Sequence, residues 1–337
     1  MRTVIGWRRR PAESVPVVDL RTRIGDVALA NPVMTASGTS GHGAELAAFV
    51  DLAGLGAVVV KSVSVRSWDG NLAPRLHPVE GGLLNSVGLQ NPGMASWLAD
   101  ELPALAATGA TVVASIWGFS AAQYAEAGAA IRAACSHSGS GTGGNPIDSV
   151  VAVEANISCP NLEDHRHPFA HSAEGVRAAV AAARDGLAGA RPLWVKLSPN
   201  VTDLAGLAAV AVTEGAAALT LVNTVAGLAL DPLTGRTRLG GAGGGLSGPA
   251  IHPVAVRAVY DCRAALPDVP IIGVGGVTSG ESAAELLVAG ADAVQVGTAT
   301  FADPRAPARI LHELERWFAH HRLSSLDELK GRAHDRR

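Results

Sequence analysis

Only three cysteines, Cys135, Cys159 and Cys262, occur in the 337 residues. Their number is odd and their spacings are wide, which argues against a disulfide framework and a zinc ribbon. A reducing cytoplasm is the simplest compartment for such a chain. Long hydrophobic runs are also missing. No stretch reaches the roughly 18 apolar residues of a membrane span, although 48% of the chain is hydrophobic. Neither sign of charge dominates: 27 basic against 30 acidic residues leave a net charge of −3, which offers no broad basic surface for nucleic acid. Arg8, Arg9 and Arg10 have no apolar core behind them, so the opening residues do not read as a signal peptide. No metal set is evident either. His165, His167 and His171 crowd one Pro-containing loop at spacings that match no standard site.

What is present is aliphatic. The hydrophobic share comes mostly from Ala, Val and Leu, which suits buried parallel strands with helices packed on them. At this length one domain of about 250–300 residues with extensions fits better than two ordinary domains. Short β-branched runs lie at 31–36, 57–63, 111–116, 150–157, 193–197, 218–223, 269–274 and 293–296. They alternate with helical patterns near 43–54, 94–107, 120–135, 173–187, 202–214, 252–265, 281–289 and 305–320. Eight strands alternating with eight helices predict an α/β TIM (β/α)8 barrel. A doubly wound open sheet is the main alternative, disfavoured by the number of repeats and by where the polar motifs fall.

Residues 17–30 predict a β-hairpin ahead of the first barrel strand, turning at Gly25-Asp26. The domain reading is an N-terminal extension over 1–16, the barrel over 17–322, and a polar C-terminal tail over 323–337, expected to be partly disordered. The Gly/Ser-rich stretch 136–145 falls on the face opposite the strand C-termini and reads as a solvated linker. The span 64–93 is too long for a plain connector and reads as an active-site loop inserted at the top of the barrel.

Polar or Gly-rich motifs follow nearly every strand: Ala36-Ser37-Gly38-Thr39, Lys61-Ser62, Asn156 to Asn161, Lys196-Leu197-Ser198, Asn223-Thr224, Gly275-Gly276 and Gly297-Thr298. A shared pocket at one end of a barrel explains that placement; scattered loops do not. Glycines after strands seven and eight let backbone N–H groups approach a phosphate, although tight turns alone would also use them. Lys61 and Lys196 each end an apolar strand, and lysine is rarely buried without a partner. Two lysines aimed into one pocket imply anionic ligands, the alternative being that each snorkels to solvent. Cys159 follows a strand end between two asparagines and precedes Pro160, where a thiol can take a proton and the amides can hold a planar polar substrate. Cys135 and Cys262 lie on helical patterns and read as small buried hydrophobes.

These strings together resemble the class 1 dihydroorotate dehydrogenases, and most of all the catalytic subunit of the class 1B type. The similarity spans roughly 17–314 and is carried by NPVMTASGT, VVVKSVS, GNLAPR, LLNSVGLQNPG, NISCPN, WVKLSPNVTD, VNTVAG, GGLSGPAIHPVAVR, PIIGVGGV and AGADAVQVGTA. The cysteine of NISCPN marks class 1, since class 2 members carry serine there. The resemblance implies an FMN cofactor contacted by Ser37, Lys61, Ser62, Asn156, Lys196, Val222, Gly248, Gly275, Gly276, Gly297 and Thr298. It implies substrate contacts from Lys61, Asn85, Ser86, Val87, Gly88, Leu89, Asn156, Asn161, Asn223 and Thr224, with Cys159 as the general base. Two departures stand out. Ser115 replaces a usual asparagine and would keep only part of that FMN contact. The stretch 162–169 (LEDHRHPF) is bulkier and more charged than the usual Gly-rich loop.

The implied reaction is oxidation of dihydroorotate to orotate in pyrimidine biosynthesis. Class 1B members pass electrons to NAD⁺ through a separate subunit with FAD and a 2Fe–2S cluster, and this chain lacks the cysteines for such a cluster. The expected partners are therefore a second copy and that electron-transfer subunit. A class 1A-like homodimer using fumarate is the runner-up. Two other kinds of FMN protein are disfavoured: a dihydropyrimidine dehydrogenase-like module, against which Asn161 and the GLQNPG loop argue, and a tRNA dihydrouridine synthase, which would need a basic RNA surface.

Overall fold

The computed structural model describes residues 18–42, 44–136, 144–158, 168–241 and 243–335. The extension over 1–16 and most of the 136–145 linker lie outside them. In chain order the strands are β1 (Thr22–Ile24), β2 (Val27–Leu29), β3 (Val33–Thr35), β4 (Val58–Val59), β5 (Leu76–Val79), β6 (Gly82–Asn85), β7 (Val112–Ile116), β8 (Val150–Asn156), β9 (Leu193–Lys196), β10 (Ala218–Leu221), β11 (Val225–Gly227), β12 (Gly244–Ser247), β13 (Ile271–Val274) and β14 (Ala293–Val296). Eight of them form one parallel sheet in the order β3-β14-β13-β10-β9-β8-β7-β4. The ring closes between its first and last members. Met34 bridges Ala57, Gly56 N donates to Val33 O at 2.8 Å, and Thr35 N donates to Ala57 O at 3.2 Å. Closure makes this a TIM barrel and removes the open-sheet alternative.

Alternation along the strands sorts the residues. Val33, Val58, Val112, Val153, Val195, Leu219, Ile271 and Val294 pack outward with the helices. Met34, Val59, Val113, Ala152, Trp194, Ala218, Ile272 and Ala293 fill the lower interior, together with Ile24, Val27 and Leu29 of the β1–β2 hairpin. That hairpin, turning at Gly25-Asp26 as expected, plugs the N-terminal end of the barrel. Two residues further along their strands, Ser115, Glu154, Lys196, Thr220 and Gln295 form a buried polar layer.

Helices over Ala121–Ser136, Ala173–Leu187, Leu204–Thr213, His252–Ala265, Gly280–Ala289 and Ala306–His320 follow the periodic stretches. The expected helix near 43–54 is instead two 3₁₀ turns, Ala44–Ala48 and Leu52–Gly54. Asp51 is the reason: its side chain accepts from Ala53 N at 3.1 Å, which interrupts the run and starts a new turn. The loop over 64–93 contains a hairpin, β5–β6. It joins β11 and β12 in a four-stranded antiparallel sheet ordered β11-β12-β6-β5. These strands read LHPV, GLLN, VAG and GGLS, with no alternation to reveal them, and β6 pairs with β12 across 160 residues, Asn85 with Gly245. The glycines permit the pairing, since a Cβ on Gly82 would collide with Ser247 O.

The polar tail is docked, not loose, as far as Asp335. Leu323, Leu326 and Leu329 are buried, and Asp19 N donates to Ser324 O at 2.8 Å. The buried Asp292 ties this end together. It accepts from Ile271 N (2.7 Å), Arg263 Nη2 (2.7 Å) and, from the tail, Lys330 Nζ (2.9 Å). Removing one partner of a buried charged network costs about 3–5 kcal/mol. Asp292→Ala is therefore expected to lower the denaturant midpoint by a cost of that order, whereas Arg257→Ala, which breaks an exposed pair with Asp261, changes it by less than about 0.5 kcal/mol. Urea unfolding of the two variants checks this.

Candidate active site

The floor of the site is the polar layer inside the barrel. Glu154 is fully buried. Its Oε2 accepts from Thr220 Oγ1 at 2.9 Å and from Gln295 Nε2 at 2.8 Å. Its Oε1 has no hydrogen-bond partner among the described residues and lies 4.0 Å from Lys196 Nζ. Lys196 is buried as well, and its ammonium donates at 3.4 Å to each of Ser37 Oγ and Gln295 Oε1. Burial pushes the Lys196 pKa below the usual lysine value, against the pull of the Glu154 carboxylate. Contacts of this length leave the lysine free to bond a ligand more tightly.

Above the floor, hydroxyls and amides form a chain across the barrel mouth. Ser115 and Ser62 share a hydrogen bond at 2.8 Å, Asn156 Nδ2 donates to Ser62 Oγ at 3.3 Å, and Asn223 Nδ2 donates to Asn156 Oδ1 at 3.1 Å. Asn223 Oδ1 then accepts from Thr224 N at 2.8 Å. The buried Tyr124 hydroxyl donates to Asn156 O at 2.7 Å, fixing the end of β8 from behind. Each amide is thereby oriented before any ligand arrives. Lys61 leaves the barrel wall just beyond β4, with its N–H donating to Gly41 O at 2.9 Å and its side chain running past Gly38.

The turn after β13 has positive φ at Gly275 (142°) and Gly276 (65°), which glycine alone adopts without strain. A Cβ on Gly276 would stand 2.6 Å from His252 Cβ and 2.9 Å from Gly248 O. A side chain there thus collides with the protein itself before it could reach a ligand. His252 holds the turn, with Nδ1 2.8 Å from Gly275 O and Nε2 3.0 Å from Glu285 Oε2. After β14, Thr298 Oγ1 donates to Ser247 Oγ at 2.8 Å and joins the barrel to the four-stranded sheet.

These groups surround one cavity of about 420 Å³ at the C-terminal end of the barrel. Ser37, Lys61, Ser62, Asn156, Lys196, Val222, Gly248, Gly275, Gly276, Gly297 and Thr298 all line it, as do Asn85, Val87, Gly88, Leu89, Asn223 and Thr224. Two expected residues do not. Ser115 is wholly buried behind Ser62, so it supports the wall. Ser86 turns its hydroxyl away to accept from Asn71 Nδ2 at 2.9 Å. Cys159 and Asn161 lie outside the described residues. Ser198 and Asn200 also line the cavity and were not singled out as site residues. Glu154, Thr220 and Gln295, beneath it, were missed altogether. Period-two counting could have found them, because Glu154 lies two residues before Asn156, Thr220 two before Val222 and Gln295 two before Gly297. Cys262 is buried in its helix, and burial pushes its thiol up to about 12, as suits an inert core residue.

Comparison with known proteins agrees with this geometry. The dihydroorotate dehydrogenase family profile matches residues 19–318. A Solibacter usitatus protein provisionally named dihydroorotate dehydrogenase A (fumarate) is 44% identical over 312 residues, which cover 93% of this chain and 97% of that protein. The dihydroorotate dehydrogenase B (NAD(+)) catalytic subunits of Pelobacter propionicus and Trichlorobacter lovleyi are each 40% identical. They cover 93% and 96% of this chain, and 98% of each relative. A barrel whose strand ends converge on one lysine- and asparagine-lined cavity, matched to this family over almost its whole length, belongs to the dihydroorotate dehydrogenase family of oxidoreductases.

Proposed function

We propose that this chain is the FMN-binding catalytic subunit of a cytoplasmic dihydroorotate dehydrogenase, which oxidises (S)-dihydroorotate to orotate in the synthesis of pyrimidines. The observation that carries the reading is the single cavity shared by Lys61, Lys196, Asn156, Asn223 and the two glycine turns. Those residues fit FMN. The turns after β13 and β14 offer backbone to a phosphate, Lys196 offers a buried cation to the ring, and Val222 offers an apolar surface. When bound, FMN would accept the hydride from C6 of the substrate. Cys159, three residues beyond β8, would take the proton from C5. Asn156 and Asn223, already oriented by their mutual hydrogen bond, would hold the planar ring. Lys61 would pair with the substrate carboxylate, and Lys196 would balance the negative charge that reduction brings.

For the electron acceptor, we favour NAD⁺ reached through a partner subunit with FAD and a 2Fe–2S cluster. Several relatives are named NAD(+) catalytic subunits, and three cysteines cannot supply the four ligands of such a cluster within this chain. The fumarate-using homodimer is a second reading, favoured by the Solibacter usitatus relative.

Three measurements test these readings. The purified protein is expected to be yellow and to release FMN on denaturation. Gly276→Ala should lose the chromophore, because its Cβ collides with His252 and Gly248. Release of FAD, or full FMN occupancy in Gly276→Ala, counts against the reading. Cys159→Ala is expected to slow anaerobic bleaching by dihydroorotate about 10²–10⁴-fold while keeping FMN, and the wild-type rate should rise with pH through the thiol range near about 8.5. An unchanged rate in that variant removes Cys159 from its role. The isolated chain should reduce an artificial dye but NAD⁺ only poorly, and should gain NAD⁺ reduction on adding the partner subunit. Efficient fumarate reduction with no such gain favours the second reading.

A further inference from the structure

One buried ionisable group has no part in the chemistry above. Glu154 lies inside the barrel beneath the cavity, with Oε2 bonded by Thr220 and Gln295, and Oε1, without a hydrogen bond among the described residues, 4.0 Å from the Lys196 ammonium. Gln295 is locked by the same pair: its Nε2 donates to Glu154 and its Oε1 accepts from Lys196. Ser37 Oγ is the other group within reach of the ammonium, again at 3.4 Å. A lysine so enclosed has two long bonds to neutral oxygens in place of the shorter ones water would make, so a nearby anion adds most to holding its charge.

We propose that Glu154 is a positioning residue for redox chemistry: its carboxylate keeps Lys196 a cation at the cavity floor and so raises the reduction potential of the cofactor above it. This rests on the reading that the cavity holds FMN. The carboxylate and the ammonium form an oriented pair, negative end down in the barrel and positive end toward the ligand. A flavin gains negative charge on two-electron reduction, and a cation beside it favours the reduced form. Thr220 and Gln295 contribute by donating to Oε2, which fixes where the carboxylate stands.

The sign of the effect makes the test decisive. Removing a bare negative charge near a flavin raises its potential. Removing Glu154 should lower it, because Lys196 then gives up its proton. In the isosteric Glu154→Gln holoprotein, spectroelectrochemical titration is expected to show a fall of at least about 30 mV, a tenfold shift in the two-electron equilibrium. Thr220→Val, which strips one donor from Oε2, should shift the potential the same way by less, and it serves where Glu154→Gln does not fold. In a Lys196→Met background, Glu154→Gln should no longer lower the potential. An unchanged or raised potential in Glu154→Gln, or an equal fall without Lys196, overturns the proposal; a purely structural role would lower thermal stability and leave the potential unmoved. If wild-type protein releases no FMN, the cofactor reading fails instead, so the two failures are distinguishable.

Discussion

Ring closure is the constraint on which everything else depends. Once Met34 meets Ala57 and β3 pairs with β14, the sheet has no free edge, and every second residue of eight strands must find room inside one ring. The interior is therefore filled by layers rather than by local choice. Here the layers differ in polarity. The lowest is apolar, stoppered by Ile24, Val27 and Leu29 of the hairpin. The next carries Ser115, Glu154, Lys196, Thr220 and Gln295, and the uppermost, with Asn156, opens to the cavity. A step of two residues along a strand converts packing into chemistry.

The polar layer is hard to explain as a device for stability. Two unit charges 4 Å apart attract by roughly 4 kcal/mol at an effective dielectric near 20, while desolvation costs several kcal/mol per ion. The attraction within the Glu154–Lys196 pair thus does not by itself repay the burial of two ions, and an apolar layer would serve the fold at least as well. Its geometry makes sense as support for a ligand. The carboxylate is anchored by two short hydrogen bonds, while the ammonium is held by two long ones and stays available to the cavity. Rigidity lies below and spare bonding capacity above.

The four-stranded sheet plays the complementary part from the other side. Its β6 and β12 bring residues near 85 and 245 to the barrel mouth, and the hydrogen bond from Thr298 to Ser247 couples it to the turn after β14. The cavity is accordingly bounded by two sheets of different kind. The barrel supplies buried, preorganised groups, and the smaller sheet supplies Asn85 and carries the chain to Val87, Gly88 and Leu89. At the opposite end, Asp292 joins the tail to the strand bottoms, so stability and chemistry are kept at separate ends of the ring.

The amino-acid sequence by itself determined the barrel, the hairpin turning at Gly25-Asp26 and the strand-end residues Ser37, Lys61, Asn156, Lys196, Asn223 and Gly276 of the cavity. These follow from local periodicity and from polar residues at the ends of apolar runs, and both signals are contained within a few consecutive positions. The tertiary structure alone decided the rest. Strands β5, β6, β11 and β12 are too short to show a period, and their two local pairs become one sheet only because β6 meets β12, 160 residues away. Ser115 and Ser86 carry the right chemistry, but the hydrogen bonds to Ser62 and Asn71 turn them from the cavity. Glu154 reads as one polar residue in an apolar run until closure sets it 4.0 Å from Lys196, 42 positions away along the chain. Periodicity tells which face a side chain takes; only the closed ring tells which side chains share it.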